Sequence, residues 1–124
     1  MTLKDDKGHD RNLLAESIKC LQDACTQSPN EPTYHNNLGL SYFENEEFDA
    51  ALTSYETAIK FETELIKKDP DRGTENLSFY HKNLGLAYYH QGNMQDALEQ
   101  YEKAIAHNPM TADNYFNKGN VMLN

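Results

Sequence analysis

The sequence is poor in the residues that support metal, disulfide or membrane chemistry. Its 124 residues include no tryptophan and two cysteines, Cys20 and Cys25, whose spacing fits neither a metal-binding Cys-x-x-Cys pair nor a disulfide framework. No run approaches the roughly 18 apolar residues of a spanning helix, and the start MTLKDDKGHD lacks the apolar segment of a signal peptide. These absences predict a cytoplasmic protein without membrane, metal or cofactor.

Positive charge is scarce as well. Eleven Lys and Arg stand against twenty Asp and Glu, which gives a formal net charge of −9. Because such a chain repels phosphate backbones, nucleic acid is not an expected partner. Acidic clusters such as ENEEFD fit either a basic segment of another protein or an ordinary solvated surface.

Catalytic constellations are also missing from the sequence. There is no phosphate-binding loop, no Ser-His-Asp pattern and no paired acid and base. His90 and His107 have no Cys or carboxylate at ligand spacing, and His35 and His81 occupy positions expected to pack against a neighbouring helix. The sequence therefore predicts a protein that is not an enzyme.

The chain does contain a repeated segment. YHNNLGLSYF at 34–43 and YHKNLGLAYY at 80–89 agree at seven of ten positions. Apolar residues in and after each copy recur at steps of three and four, which indicates two amphipathic helices per copy. Pro29, Pro70 and Pro109 each follow a helical run and predict its end. The fold class predicted from this pattern is all-α.

The spacing of small and aromatic residues in these copies resembles the tetratricopeptide repeat (TPR), whose period is about 34 residues. One copy supplies Leu84, Gly85, Tyr88, Ala97, Tyr101, Ala104 and Pro109, and the copy before it supplies Leu38, Gly39, Tyr42, Ala51, Tyr55 and Ala58. A third copy begins at Ala112, with Gly119 located 34 residues after Gly85. The resemblance implies a right-handed solenoid of antiparallel helix pairs.

The repeat boundaries predict five segments. Residues 1–9 are expected to be frayed or added for expression, 10–29 to form the second helix of a preceding partial repeat, 30–77 a long repeat, 78–111 a standard repeat, and 112–124 the first helix of a truncated or atypical repeat. Because neither end resembles a polar capping repeat, we expect a fragment of a longer array. The long repeat carries 12 extra residues, which predicts lengthened helices around DPDRGTEN, one of them over 49–68.

The resemblance also implies a binding groove, because the first helix of each TPR pair lines the concave surface. The position two residues before the glycine is Asn in all three copies, Asn37, Asn83 and Asn117. An amide can donate to and accept from a peptide backbone, so these residues resemble the asparagine ladder of O-GlcNAc transferase. Alternatively, the Asn side chains bond across neighbouring helices. The other peptide-binding candidates on this face are Asn36, Phe43, Lys82, Tyr89, His90, Phe116 and Asn120.

The predicted partner is a peptide or an amphipathic helix of another protein. TPR modules that clamp the acidic Hsp70 and Hsp90 tails use cations and asparagines at positions that hold Asn36, Leu40, Asn83, Asp113 and Asn117 here. Without those cations, chaperone-tail binding is not expected. The alternative function is a structural spacer or a self-assembling segment, with association through the apolar helix at 112–124.

Overall fold

The computed structural model describes the backbone of residues 3–123 and the side chains of residues 12–123. This part of the chain consists of six α-helices with no strand. The helices are α1 (Leu3–Gln27), α2 (Pro32–Glu44), α3 (Phe48–Lys68), α4 (Glu75–His90), α5 (Met94–His107) and α6 (Ala112–Leu123). The predicted all-α class is confirmed.

The helices stack in chain order as hairpins. α2 pairs with α3 and α4 pairs with α5, while α1, α3 and α5 each also contact the helix that follows them. α3 and α5, the second helices of these two pairs, are each held between two first helices, which confirms the predicted solenoid of antiparallel helix pairs.

Two glycines each lie directly under a tyrosine ring of the paired helix. A Cβ atom added to Gly39 would lie 2.5 Å from Cε1 of Tyr55, and one added to Gly85 would lie 2.6 Å from Cε1 of Tyr101. Both tyrosines are buried, so neither ring has space to withdraw. The mid-helix glycines offset their low helix propensity by letting the paired tyrosine pack directly on the backbone.

The long repeat is built by extending α3 and α4. α3 has 21 residues and begins one residue before the predicted helix at 49–68, and α4 begins at Glu75, ahead of the apolar residues Leu77 and Phe79. A 3-10 turn at Pro70–Arg72 joins them. Arg72 donates from Nε and Nη2 to the fully buried Glu62 carboxylate at 2.5 and 3.1 Å, a two-pronged pair that fixes this turn against α3.

The first helix begins at Leu3, whereas the sequence places its start at residue 10. No proline interrupts 3–27, so the backbone continues helical across the expected boundary. Residues 1 and 2 lie outside the described residues. From residue 3 to residue 123, no helix combines the length and apolarity that a membrane span requires.

Candidate functional site

The predicted binding residues lie on α2, α4 and α6, the first helices of three successive pairs. α4 contacts both α2 and α6, so the three helices form one continuous surface. We call this surface the groove face and define it by Phe43, Lys82, Leu86, Tyr89, His90, Phe116, Asn117 and Asn120.

A cleft of about 200 Å³ lies in the groove face between α4 and α6. It is lined by Leu86, Tyr89, His90, Tyr101, Asn117 and Asn120. One wall is therefore aliphatic and aromatic, and the other carries two amides. Burial raises the pKa of the Tyr101 phenol, and the nearby Tyr89 adds to that shift, so the hydroxyl stays neutral.

Beside this cleft, four aromatic rings pack together where α2, α3 and α4 meet. The ring centroid of Phe43 is 5.5 Å from Phe48 and 5.0 Å from His90, both edge to face. His90 stacks on Phe48 at 5.8 Å and meets Tyr89 edge-on at 5.8 Å. The group holds Tyr89 and His90 in place at the edge of the cleft, since rings at these separations attract one another.

The three asparagines of the predicted ladder occupy three different environments. Asn83 is 4% exposed, and its Nδ2 donates to Oδ1 of the equally buried Asn36 at 2.9 Å. Asn37 is exposed, and Asn117 is half-buried in the cleft. The alternative interpretation, a hydrogen bond between neighbouring helices, thus applies to Asn83, which bonds to Asn36. Asn117 lines the cleft of the groove face.

A smaller cleft of about 110 Å³ lies between the N-terminal halves of α4 and α6. Ser78 donates to the Ala104 carbonyl at 2.7 Å and accepts from Nδ2 of Asn114 at 3.1 Å. These bonds fix the Asn114 amide, whose Oδ1 is the one fully buried side-chain oxygen without a hydrogen-bond partner among the described residues. Lys82 lies over the Phe79 ring in the same cleft, with Nζ 4.4 Å from the centroid.

Two predicted packing histidines are indeed engaged with neighbouring segments. His35 donates from Nε2 to the Pro29 carbonyl at 2.7 Å and stacks on Phe61. His81 is buried, donates from Nδ1 to Oε1 of Gln100 at 2.7 Å and stacks on His107 at 5.6 Å. Burial lowers the pKa of His81, against the raising effect of the Gln100 bond and together with smaller lowering effects of His107 and Lys103. Across the described residues, no three His, Cys, Asp or Glu side chains form a group able to hold a metal ion.

Phe48, Tyr101 and Asn114 contribute to the two clefts and the aromatic group, although the repeat pattern does not predict it. Phe48 and Tyr101 belong to the second helices, where the repeat pattern predicts that an aromatic residue packs between helices. Asn114 lies five residues before Gly119, where α4 has Tyr80, so the repeat pattern gave no reason to expect a buried amide there. A polar residue at a position occupied by an aromatic in the preceding copies was the available signal.

Protein-family profiles match most of the chain. A TPR repeat profile matches residues 8–46, and two tetratricopeptide repeat profiles match residues 32–65 and 78–110. Among curated protein sequences, none matches the chain.

Solved structures with the same fold include the first TPR of Spaghetti (RPAP3) bound to the HSP90 peptide SRMEEVD. It is 16% identical, with 97% of this chain and 86% of that chain covered and a TM-score of 0.75. A thermophilic TPR protein of Thermus thermophilus is 24% identical, with 99% and 55% covered and a TM-score of 0.75. The TPR2AB domain of yeast Sti1 in its pHSP90 complex is 22% identical, with 95% and 43% covered and a TM-score of 0.77. The chain spans about half the length of the last two proteins.

Proposed function

Because the chain belongs to the tetratricopeptide repeat family, we propose that it is a protein–protein interaction module that binds a peptide or an amphipathic helix across the groove face. The observation that carries this proposal is the cleft between α4 and α6, which joins apolar and aromatic side chains to the amides of Asn117 and Asn120. Such a lining, apolar with a few polar groups, supports a ligand-binding role.

The lining of the cleft suits a ligand with one apolar or aromatic side chain and an extended backbone. Leu86, Tyr89 and Tyr101 offer a wall on which such a side chain loses contact with water. The amide of Asn117 both donates and accepts, and it can therefore bond to a peptide group of any sequence. The specificity of the site then comes from the apolar side chain, and the backbone contributes affinity.

An acidic chaperone tail is a poor candidate for this site. The Spaghetti and Sti1 domains are bound to HSP90 in their structures, and the peptide SRMEEVD carries three carboxylate side chains and a C-terminus. Here Asn36 and Asn83 are bonded to each other at two of the clamp positions, and Asp113 places a negative charge at a third. A carboxylate at those positions would meet no counter-charge.

The test uses peptides selected from a random display library on the wild-type chain, with SRMEEVD as a second probe. For a selected peptide, Asn117→Ala should weaken binding about 2- to 12-fold, because a net hydrogen bond contributes about 0.5–1.5 kcal/mol. The matched control is Gln95→Ala, which removes an exposed side-chain amide from α5, outside the groove face. Fluorescence anisotropy measures each affinity. Equal affinity for wild type and Asn117→Ala would contradict the proposal, as would tighter binding of SRMEEVD than of the selected peptides.

A second candidate function is self-assembly, and the exposed apolar side chains of α6 favour it. Tyr115, Phe116, Met122 and Leu123 are all exposed, although α6 is a first helix like α2 and α4. Exposed apolar side chains in this number along one short helix are typical of an interaction surface.

A further inference from the structure

The equivalent glycines of the three first helices differ in what covers them. Gly39 and Gly85 are covered by the rings of Tyr55 and Tyr101, both from the second helix of the same pair. At Gly119 of α6, an added Cβ atom would meet no described heavy atom within 4 Å. The side of α6 that corresponds to the buried hairpin contact of α2 and α4 is therefore open.

The other residues on this side of α6 agree with the glycine. Tyr115 is 51% exposed and Met122 is 69% exposed, whereas His81, which matches Tyr115 in α4, is buried against α5. Val121, on the opposite side of α6, is buried with Ala97 and Tyr101. α6 is thus packed on the preceding pair through one side only.

α1 shows the complementary opening. Ser17, Leu21 and Ala24 lie 34 residues before Ala51, Tyr55 and Ala58, which are the residues that α3 buries completely in its hairpin contact. In α1, Ser17 is exposed, and Leu21 and Ala24 are only half-buried. α1 packs on α2 as a second helix packs on the next pair, but no described first helix covers its other side.

A groove of about 550 Å³ lies next to the uncovered side of α1. It lies between α1 and α2 and is lined by Leu13, Leu14, Ser17, Ser41 and Glu44. One repeat later, the equivalent place between α3 and α4 is filled by Phe43, which contacts Phe48 and His90. In α6 the residue equivalent to Phe43 is Leu123, which is 87% exposed.

We propose that α1 of a second copy of this chain packs on α6, so that two copies complete one repeat between them. In this arrangement Leu21 of one copy covers Gly119 of the other, as Tyr55 covers Gly39, and Leu123 enters the groove beside Leu14. The proposal deepens the self-assembly candidate above and rests on it. It is independent of peptide binding, because Gly119 and Tyr115 face away from the cleft.

The two surfaces that meet are different, so the contact is head to tail. A contact of this kind leaves one free α1 and one free α6 at the ends of every assembly, and association continues beyond the dimer. Each copy carries a net charge of −9, and the mutual repulsion opposes association. Assembly should therefore grow with protein concentration and with salt, which screens that repulsion.

Two variants that block opposite surfaces test the proposal. Gly119→Lys places a charge on the open side of α6, and Ser17→Lys places one on α1 where α3 has the buried Ala51. Gly119→Lys removes no contact within one copy, and Ser17→Lys gives up one hydrogen bond, between Oγ of Ser17 and Oγ of Ser41 at 3.5 Å. Unchanged helical content and a melting temperature no lower than that of the wild type, both by circular dichroism, verify that each variant keeps the fold. Met110→Lys, at a 90% exposed residue outside both surfaces, is the matched control.

Sedimentation equilibrium over a wide concentration range provides the readout. Wild type and Met110→Lys should exceed the mass of a dimer at high concentration, and each blocked variant alone should remain a monomer. An equimolar mixture of the two blocked variants should form a 1:1 dimer and nothing larger, because one intact α6 meets one intact α1.

Three results would overturn the proposal: a wild type that stays monomeric at every concentration, a Ser17→Lys variant that still dimerises through α6 alone, or a mixture that does not dimerise. If either lysine variant fails to fold, Tyr115→Lys and Leu13→Lys replace the pair, since both residues are half exposed and lie on the same two surfaces. Peptide affinity of the monomeric variants, measured separately, distinguishes failure here from failure of the groove proposal.

Discussion

α4 and α6 carry similar residues at the same repeat positions, yet they lie in different surroundings. His81, Asn83 and Gly85 of α4 are all buried, the first against α5 and the second against α2. Their counterparts Tyr115, Asn117 and Gly119 of α6 are exposed, half-buried and open. α4 has a helix on each side, whereas α5 and α4 are the only described helices on which α6 packs.

The repeat position thus determines where a residue lies on its helix. Whether a neighbouring helix covers that residue determines how much it contributes to the stability of the fold. Glycine at this position matters only when a tyrosine packs on it, and asparagine at this position is structural only when another helix buries its amide. Variants at matched positions of α4 and α6 should therefore differ in effect even when the substitution is identical.

The largest difference is expected at the glycines. Gly85→Leu should destabilise the fold by about 2–4 kcal/mol, because the new side chain must displace the buried ring of Tyr101 and overpacking alone costs about 1–3 kcal/mol. Gly119→Leu should be neutral or stabilising by up to about 1 kcal/mol, because it replaces a helical glycine where the space is open. Urea unfolding of both variants at monomeric concentration gives the two values.

Equal destabilisation by the two leucines would contradict the account of the glycines. It would mean that Gly119 is also covered in the monomer, and the open side of α6 would then have no part in assembly. A loss confined to Gly85→Leu supports both conclusions.

A smaller difference is expected at the asparagines. Asn83→Ala should cost about 1–3 kcal/mol, because Oδ1 of Asn36 loses its donor while remaining buried. Asn117→Ala should change stability by no more than about 0.5 kcal/mol, since its half-buried amide lines an open cleft. Thermal melts followed by circular dichroism in the far ultraviolet measure both. If Asn117→Ala proves as destabilising as Asn83→Ala, its amide is structural and the groove loses its proposed backbone contact.

The fold could be predicted from the sequence because helical periodicity and the repeat spacing are local properties of the chain. The extension of α3 was predictable for the same reason, since Phe61, Leu65 and Ile66 continue the three-four pattern up to the charged end. The ion pair between Glu62 and Arg72, which holds the turn at the end of this extension, was not predictable. In the helical pattern both residues look like ordinary surface charges.

The site could be predicted only in part. Counting from the glycine placed Tyr89, His90, Asn117 and Asn120 on one face, and these residues do line one cleft. The same counting assigns the three asparagines one role. The amide of Asn83, however, is hydrogen-bonded to Asn36, 47 residues earlier in the chain. A contact of that range depends on how α2 and α4 cross, and no single repeat contains that information.

The smallest expected effect concerns the position four residues before the glycine, which is His81 in α4 and Tyr115 in α6. The pKa of His81 lies below its ordinary value of 6.5, mainly because the ring is buried, while Gln100 partly opposes the shift and His107 and Lys103 add to it. Near pH 6.5, the imidazole of His81 is therefore protonated less in the native state than in the unfolded chain. Stability is unaffected by this group above about pH 7.5 and falls as the pH drops through 6.5, with a slope of at most about 1.4 kcal/mol per pH unit.

His81→Gln should remove this contribution, so its unfolding free energy should depend less on pH than that of the wild type between about pH 7 and 5. Tyr115→His is the matched test from α6, because it introduces an imidazole at the same repeat position without a covering helix. At monomeric concentration it should leave the pH dependence of the wild type unchanged. Urea unfolding at each pH provides the measurement. A Tyr115→His variant that steepens the pH dependence would show that this side of α6 is already desolvated within one copy, and the distinction between the two helices would not hold.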